Sequence, residues 1–187
     1  MKRHPFAALV AAVLLLAGCG ATAEPKGQDD HNAADVMFLQ MMLPLHAQGL
    51  ELTRIAKERT TRAEVRDIAG ELDAVQRTET EKMTGWLTGW SQPTAMNGDP
   101  SAHEHHGGLH QTSPAEIEAL AKAPEADFDT TFLNLMTGHL HNSVELTRSE
   151  IEGGSNQQAK DLATTIRESR GKEIARLLSL VGQLPAR

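Results

Sequence analysis

The chain has 187 residues and a formal net charge of −7, with a single cysteine and no tyrosine. The acidic balance disfavours a nucleic-acid partner, because phosphate binding needs clustered basic side chains. One cysteine excludes an internal disulfide and any site built from several thiolates. The length suits one domain, whose core must come mainly from Leu, Ala, Ile and Met.

The first 18 residues have the pattern of a bacterial export signal. Lys2 and Arg3 precede an apolar run from Phe6 to Leu16, and this run is too short to span a bilayer. It closes with Leu-Ala-Gly-Cys, which resembles a lipobox ending at Cys19. We therefore predict a signal peptide over residues 1–18, a lipidated Cys19 that carries palmitate, and an extracytoplasmic, membrane-anchored protein. The alternative is a short apolar helix that merely anchors the chain.

Residues 19–32 are polar and rich in Gly and Asp, which is typical of a flexible tether. After the tether, an internal repeat with a constant offset of 94 residues is the most informative feature. Glu51-Leu52-Thr53-Arg54 recurs letter for letter at residues 145–148, and the Asp, Phe and Met at positions 35, 38 and 42 recur at 129, 132 and 136. The repeat predicts two helical hairpins of common origin.

Apolar residues step by three and four through each hairpin, which favours an all-α, up-down four-helix bundle over residues 33–184. The repeats cover 33–90 and 127–182, and the crossover 91–126 has a short helix near 114–122. Capping boxes are expected at Thr61 with Glu64, Ser113 with Glu116 and Ser155 with Gln158. Pro44, and Gly138 at the equivalent position, predict loosened helices that are either tolerated irregularities or the walls of a pocket.

Histidines in the crossover form the first candidate metal site. His103, His105, His106 and His110 lie within eight residues, together with Glu104. Imidazoles and a carboxylate so close in sequence can close around Cu(II), Zn(II) or Ni(II). A solvated loop that chelates metal only weakly is the alternative.

A second candidate site lies on the helices. Met42 with His46 and Met136 with His139 each share a helix face, and Met83 of the second helix is a further thioether. Thioethers with imidazoles favour Cu(I) over Zn(II) or Mg(II). Methionines that fill gaps in the core, beside core histidines, are the competing interpretation. His141 is two residues from His139 and should point away from this site.

The repeated Asp, Phe-Leu, Met and His motif, followed by Leu-Glu-Leu and then by Gln76, Glu79, Met83 and Trp86-Leu87, resembles the bacterial domain-of-unknown-function family 305. The resemblance covers roughly residues 33–182. It implies a ferritin-like four-helix bundle that is exported, and a copper-binding function in members rich in Met and His.

The sequence departs from the family motif at the histidines. The motif carries two adjacent histidines, whereas this chain has Leu45-His46 in the first repeat and His139-Leu140 in the second. The residues equivalent to Gln76 and Met83 are Arg170 and Leu177. Either one composite site survives across the two repeats, or the bundle has lost its metal and kept its fold.

We therefore expect a lipid-anchored metal-binding protein that handles copper, with zinc or no metal as alternatives, and no enzyme. The helical ligands would be Met42, His46, Met83, Met136 and His139. No histidine has a Glu three residues before it, as di-iron bundles require, and His-Glu-x-x-His is absent. The alternative is a structural or interaction lipoprotein of the cell envelope with a decayed metal site. A homodimer or an envelope protein is the expected kind of protein partner.

Overall fold

The computed structural model describes residues 30–96 and 112–184, which form five helices and no strand. These are α1 (Ala33–Arg59), α2 (Ala63–Gly89), α3 (Pro114–Lys122), α4 (Glu125–Gly153) and α5 (Gln157–Gly182). The long helices are the two predicted hairpins, and α3 is the short helix predicted in the crossover. The all-α prediction is confirmed. None of these five helices has an apolar stretch that could cross a membrane.

One of the three predicted capping boxes is present. Ser113 accepts a hydrogen bond from the backbone N–H of Glu116, whose side chain caps Ser113 in return. The box predicted at Ser155 is wrong, because Asn156 is the N-cap of α5 and accepts from Ala159 at 3.0 Å. The box at Thr61 is also wrong. Thr61 is exposed, and Thr60 Oγ1 accepts from the N–H of Arg62, the N-cap of α2, at 3.1 Å.

Two aspartates at repeat-equivalent positions each accept hydrogen bonds from the turn of the other hairpin. Asp35 completes an unpredicted capping box with Asn32 and also accepts from the backbone N–H groups of Ser155 and Asn156. Asp129, its equivalent in the second repeat, accepts from Thr60 Oγ1 at 2.6 Å. Each hairpin therefore anchors the turn between the two helices of its partner.

The positions that predict loosened helices lie within continuous helices. α1 runs through Pro44 and α4 runs through Gly138, and both residues are exposed. α1 packs against α2 and α4, and α4 packs against α5. Long side chains join α2 to α5, through ion pairs of Arg170 with Glu79 and of Arg176 with Glu71.

The apolar core consists of two clusters that the repeat relates. The Phe38 cluster includes Phe38, Leu39, Met42, Met83, Leu87, Leu146, Leu162, Ala163 and Ile166. The Phe132 cluster includes Phe132, Leu133, Met136, Leu177, Leu52, Ile68, Ala69 and Leu72. Except for Leu87, every residue named for one cluster has its repeat equivalent named for the other. The two hairpins are thus related by a pseudo-twofold that exchanges the clusters.

Candidate functional site

Polar side chains separate the two apolar clusters along the bundle. On α2, residues 65–72 belong to the Phe132 cluster and residues 83–87 to the Phe38 cluster, and on α5 the order is reversed. Between them, at the middle of the bundle, lie buried or half-buried polar side chains that we call the polar layer: His46, Gln76, Glu79, His139, Arg170 and Glu173.

Glu79 is the centre of the charged contacts in the layer. Its Oε2 lies 2.6 Å from Nε2 of His46 and accepts a hydrogen bond from Nη2 of Arg170 at 2.5 Å. Arg170 is fully buried, and its Nη1 also donates to Glu173 Oε2 at 3.1 Å. Burial raises the pKa of the Glu173 carboxyl above its ordinary value, although Arg170 opposes the shift. The buried guanidinium is thus paired with carboxyl groups from two helices, as a buried charge requires.

His46 uses one ring nitrogen and leaves the other unused. Its Nε2 faces the Glu79 oxygen that also accepts from Arg170, so Nε2 is assigned as the N–H donor. In the neutral ring, Nδ1 then carries the lone pair. Nδ1 is buried and has no hydrogen-bond partner in the described part of the chain. A carboxylate behind an imidazole is the arrangement that orients histidine ligands of metals.

His139 has no hydrogen bond to either ring nitrogen. It is 1% exposed, and neither Nδ1 nor Nε2 meets a partner among the described residues. Burial, followed by the electrostatic influence of the His46 ring and of the Arg170 guanidinium, lowers the pKa of His139 to about 3. The ring is therefore neutral at pH 7 and presents a lone pair, which is the form that binds metal ions.

Gly49 makes room for the polar layer. A Cβ at this position would lie 2.0 Å from Oε1 of Gln76 and 2.6 Å from Nε2 of His139. Both polar atoms of the Gln76 amide are also without a partner in the described chain. The Gln76 amide and the His139 imidazole therefore share the space beside Gly49. Both groups have polar atoms that are available for a hydrogen bond or, in the imidazole, for a metal ion.

The two predicted helical histidines lie in the polar layer, whereas the three methionines lie beside it. All five side chains are buried. Met42 and Met83 belong to the Phe38 cluster, and Met136 belongs to the Phe132 cluster on the other side of the layer. Within residues 30–96 and 112–184, no group of three or more His, Cys, Asp or Glu side chains is arranged to hold a metal ion. The five-residue ligand set therefore stays a prediction.

The remaining predicted sites fall outside the described residues. These are the lipidation site, Cys19, and the loop ligands His103, His105, His106 and His110. His141 is exposed, unlike His139 on the same helix.

The sequence pattern named two imidazoles of the layer but not its charged members as site residues. Arg170 and Glu79 are 91 positions apart, so their contact has no local signature. A signal does exist at Arg170, since it continues the spacing of Leu162, Ala163 and Ile166 on α5. A charged residue on the apolar stripe of a helix indicates a buried ion pair.

A protein-family model matches the part of the chain that contains these features. The model for a domain of unknown function, DUF305, matches residues 35–181. The chain belongs to the DUF305 family. The match contains both apolar clusters and the whole polar layer, and it confirms the resemblance carried by the repeated motif.

Solved structures confirm the helical bundle. A DUF305 protein from Streptomyces coelicolor, described as secreted, is 27% identical, with a TM-score of 0.76 over 86% of this chain and 98% of that chain. A DUF305 fragment from Deinococcus radiodurans is 27% identical, with a TM-score of 0.73 over 82% and 98%. CopM in its Cu(I)-bound form is 21% identical, with a TM-score of 0.66 over 81% and 98%, and shares the fold. A comparison with curated proteins gives no significant match.

Proposed function

We propose that this DUF305 protein binds copper outside the cytoplasmic membrane, and that it sequesters or hands over the ion without catalysing a reaction. One observation carries the proposal: the buried imidazoles of His46 and His139 have three ring nitrogens without partners among the described residues. Unsatisfied buried polar atoms are uncommon in folded proteins, and a bound ion is one explanation for them. In this proposal copper is the ion that the protein carries, and it is not a resident cofactor.

The donor chemistry favours Cu(I). Met42 lies one turn before His46, and Met136 lies three residues before His139 on α4. Soft thioethers combined with imidazoles select Cu(I). Arg170 also engages the carboxyl oxygens of Glu79 and Glu173, which are harder ligands that suit divalent ions better than Cu(I). Neutral His139 can also bind the ion without first releasing a proton.

Relatives support the copper and the location parts of the proposal. CopM, with the same fold, is known in Cu(I)-bound and Cu(II)-bound forms. The Streptomyces coelicolor relative, described as secreted, points to an extracytoplasmic location. We further propose that a lipid on Cys19 anchors the protein to the cell membrane. Incorporation of labelled palmitate, abolished by Cys19→Ser, would support the anchor, and label retained in that variant would contradict it.

The copper proposal is tested by anaerobic titration of the unlipidated mature chain with Cu(I) against a chromogenic chelator. The four loop histidines are replaced by serine in a parent variant, so that binding by the loop is measured separately. We expect this parent to retain one Cu(I) per chain and to lose it in the His46→Ala, His139→Ala double variant. The matched control is His141→Ala, which removes an exposed histidine from the same helix.

Absence of stoichiometric Cu(I) binding at micromolar concentrations would contradict the copper proposal. A Zn(II) titration of the same parent distinguishes a zinc site from a copper site. The loop histidines would form a second, weaker site if the unsubstituted chain binds additional copper that its parent variant does not.

Arg170 favours a second candidate function, a structural or interaction lipoprotein of the envelope. The layer already contains a buried cation, whose charge is paired with Glu79 and Glu173. A bundle stabilised in this way needs no metal to fold. Its partner would be a second copy of the chain or another envelope protein, and normal folding without any Cu(I) binding would support this candidate.

A further inference from the structure

We infer that Arg170 determines which cations the polar layer accepts. Its guanidinium holds the carboxyl groups of Glu79 and Glu173. Among the described residues these carboxyl groups, His46 and His139 are not arranged to hold a metal ion, and we attribute this to Arg170. The inference rests on the proposed function, because both concern the polar layer. The proposed function concerns the ion that the layer binds, whereas Arg170 concerns the ions that the layer excludes.

One guanidinium contacts both acidic side chains of the layer. Arg170 donates from Nη2 to Glu79 at 2.5 Å and from Nη1 to Glu173 at 3.1 Å. The two carboxyl groups therefore lie within the span of a single guanidinium and its hydrogen bonds. The same Glu79 oxygen also contacts His46, so hydrogen bonds through Glu79 and Arg170 link His46 to both carboxyl groups.

The repeat shows what the layer would be without this cation. Arg170 is the equivalent of Gln76, and Glu173 is the equivalent of Glu79. A glutamine at both positions would leave two imidazoles, two carboxyl groups and two amides in one buried or half-buried layer. Two histidines with carboxylate oxygens are a common donor set for Zn(II) and for other divalent first-row ions.

Arg170 opposes such a site in two ways. Its charge offsets the negative charge of the carboxyl groups that would attract a dication, and its hydrogen bonds compete for the carboxylate oxygens that would coordinate the ion. A Cu(I) ion held by imidazole and thioether donors needs neither carboxylate. Arg170 is therefore compatible with the proposed copper site and opposes a divalent site in the same layer.

The test is Arg170→Gln in the mature chain that lacks the loop histidines, titrated with Zn(II) and Co(II). We expect the variant to bind one dication per chain about 10- to 100-fold more tightly than its parent, the range for residues that control metal ligands. Co(II) should also develop visible absorption bands characteristic of imidazole and carboxylate coordination. Arg170→Lys, which keeps the charge, should show neither gain.

Two further variants identify the site. Arg167→Gln makes the same substitution at an exposed position of α5 and should leave Zn(II) affinity unchanged. Adding Glu79→Gln to Arg170→Gln should abolish the gain. If the two unpaired carboxyl groups prevent Arg170→Gln from folding, the Arg170→Gln, Glu173→Gln variant retains both histidines with Glu79 and should still acquire the Co(II) bands.

A folded variant without Arg170 that gains no dication would overturn the inference, as would an equal gain in Arg170→Lys. The proposed function fails separately. Loss of Cu(I) binding in the parent, together with a gain of Zn(II) in Arg170→Gln, would reject the copper proposal and support the role of Arg170. Cu(I) binding in the parent, without a gain of Zn(II) binding in Arg170→Gln, would support the copper proposal and reject the role of Arg170.

Discussion

The Phe38 and Phe132 clusters use nearly the same residues at repeat-equivalent positions, whereas the polar layer does not. In the layer, Gln76 is equivalent to Arg170, and the two histidines are equivalent to leucines. Apolar burial is non-directional and tolerates duplication. A buried guanidinium instead needs opposite charges around it, and Glu79 and Glu173 both pair with the single Arg170. The layer is therefore where the two halves of the bundle differ most.

The equivalence of the clusters can be tested with a symmetric pair of substitutions. Phe38 and Phe132 are both fully buried. Phe38→Ala and Phe132→Ala should each lower the free energy of unfolding by about 3–5 kcal/mol, because each leaves a cavity in its cluster. Urea denaturation measures both. A large loss in only one variant would show that the clusters are not equivalent in energy.

The asymmetry of the layer predicts that substitutions of Arg170 and of Gln76, its repeat equivalent, change the free energy of unfolding by unequal amounts. Arg170→Leu leaves buried carboxyl groups without their cation and should cost about 3–5 kcal/mol in the metal-free protein. Gln76→Leu removes an amide whose two polar atoms have no partner, so it should change stability by less than about 1 kcal/mol. Similar losses in the two variants would contradict the assignment of Arg170 as the paired charge.

Gly49 and its repeat equivalent give a third comparison, in which we expect smaller changes in the free energy of unfolding. Gly49→Ala places a Cβ against Gln76 and His139, and we expect a loss of about 1–3 kcal/mol from overpacking. Ser143 is the equivalent residue, and its hydroxyl makes a long hydrogen bond of 3.4 Å to the carbonyl of His139. Ser143→Ala should cost less than about 1 kcal/mol. Thermal denaturation at one fixed pH compares the two.

Much of the fold could be predicted from the sequence, because repeats and helical spacing are local signals. The capping boxes at Thr61 and Ser155 were wrong since neighbouring residues, Thr60 and Asn156, offer competing oxygens. The turn geometry that decides between them also depends on Asp129 and Asp35 from the opposite hairpin.

The site was less predictable because its contacts join distant positions. Helical spacing placed His46 and His139 together, and they do lie in one layer. It could not place the methionines, since the pseudo-twofold puts Met42 and Met136 in opposite clusters. The contact of Glu79 with Arg170 is likewise invisible until the hairpins are docked.

Glu150, a buried acid near the end of α4, predicts a pH dependence of stability. Burial, together with the adjacent Asp35 carboxylate, raises the pKa of Glu150 to about 8, so the folded protein holds it protonated at neutral pH. Its contribution to stability is complete below about pH 4.5, the ordinary value for glutamate, and is lost as the pH rises towards 8.

Glu150→Gln should therefore reduce the loss of stability between pH 5 and 8, measured by urea denaturation against the wild type. The matched control is Glu152→Gln, an exposed residue of the same helix, which should leave the pH dependence unchanged. An unchanged pH profile in Glu150→Gln would show that this carboxyl group does not titrate in that range.

The most direct test of the central claim is nitrogen-15 NMR of the histidine rings during addition of Cu(I), which is diamagnetic. We expect the ring resonances of His46 and His139 to shift together and to stop changing at one equivalent, with methionine methyl signals shifting in parallel. The resonances of exposed His141 should stay in place. Unshifted His46 and His139 signals beyond one equivalent of Cu(I) would contradict a copper site in the polar layer.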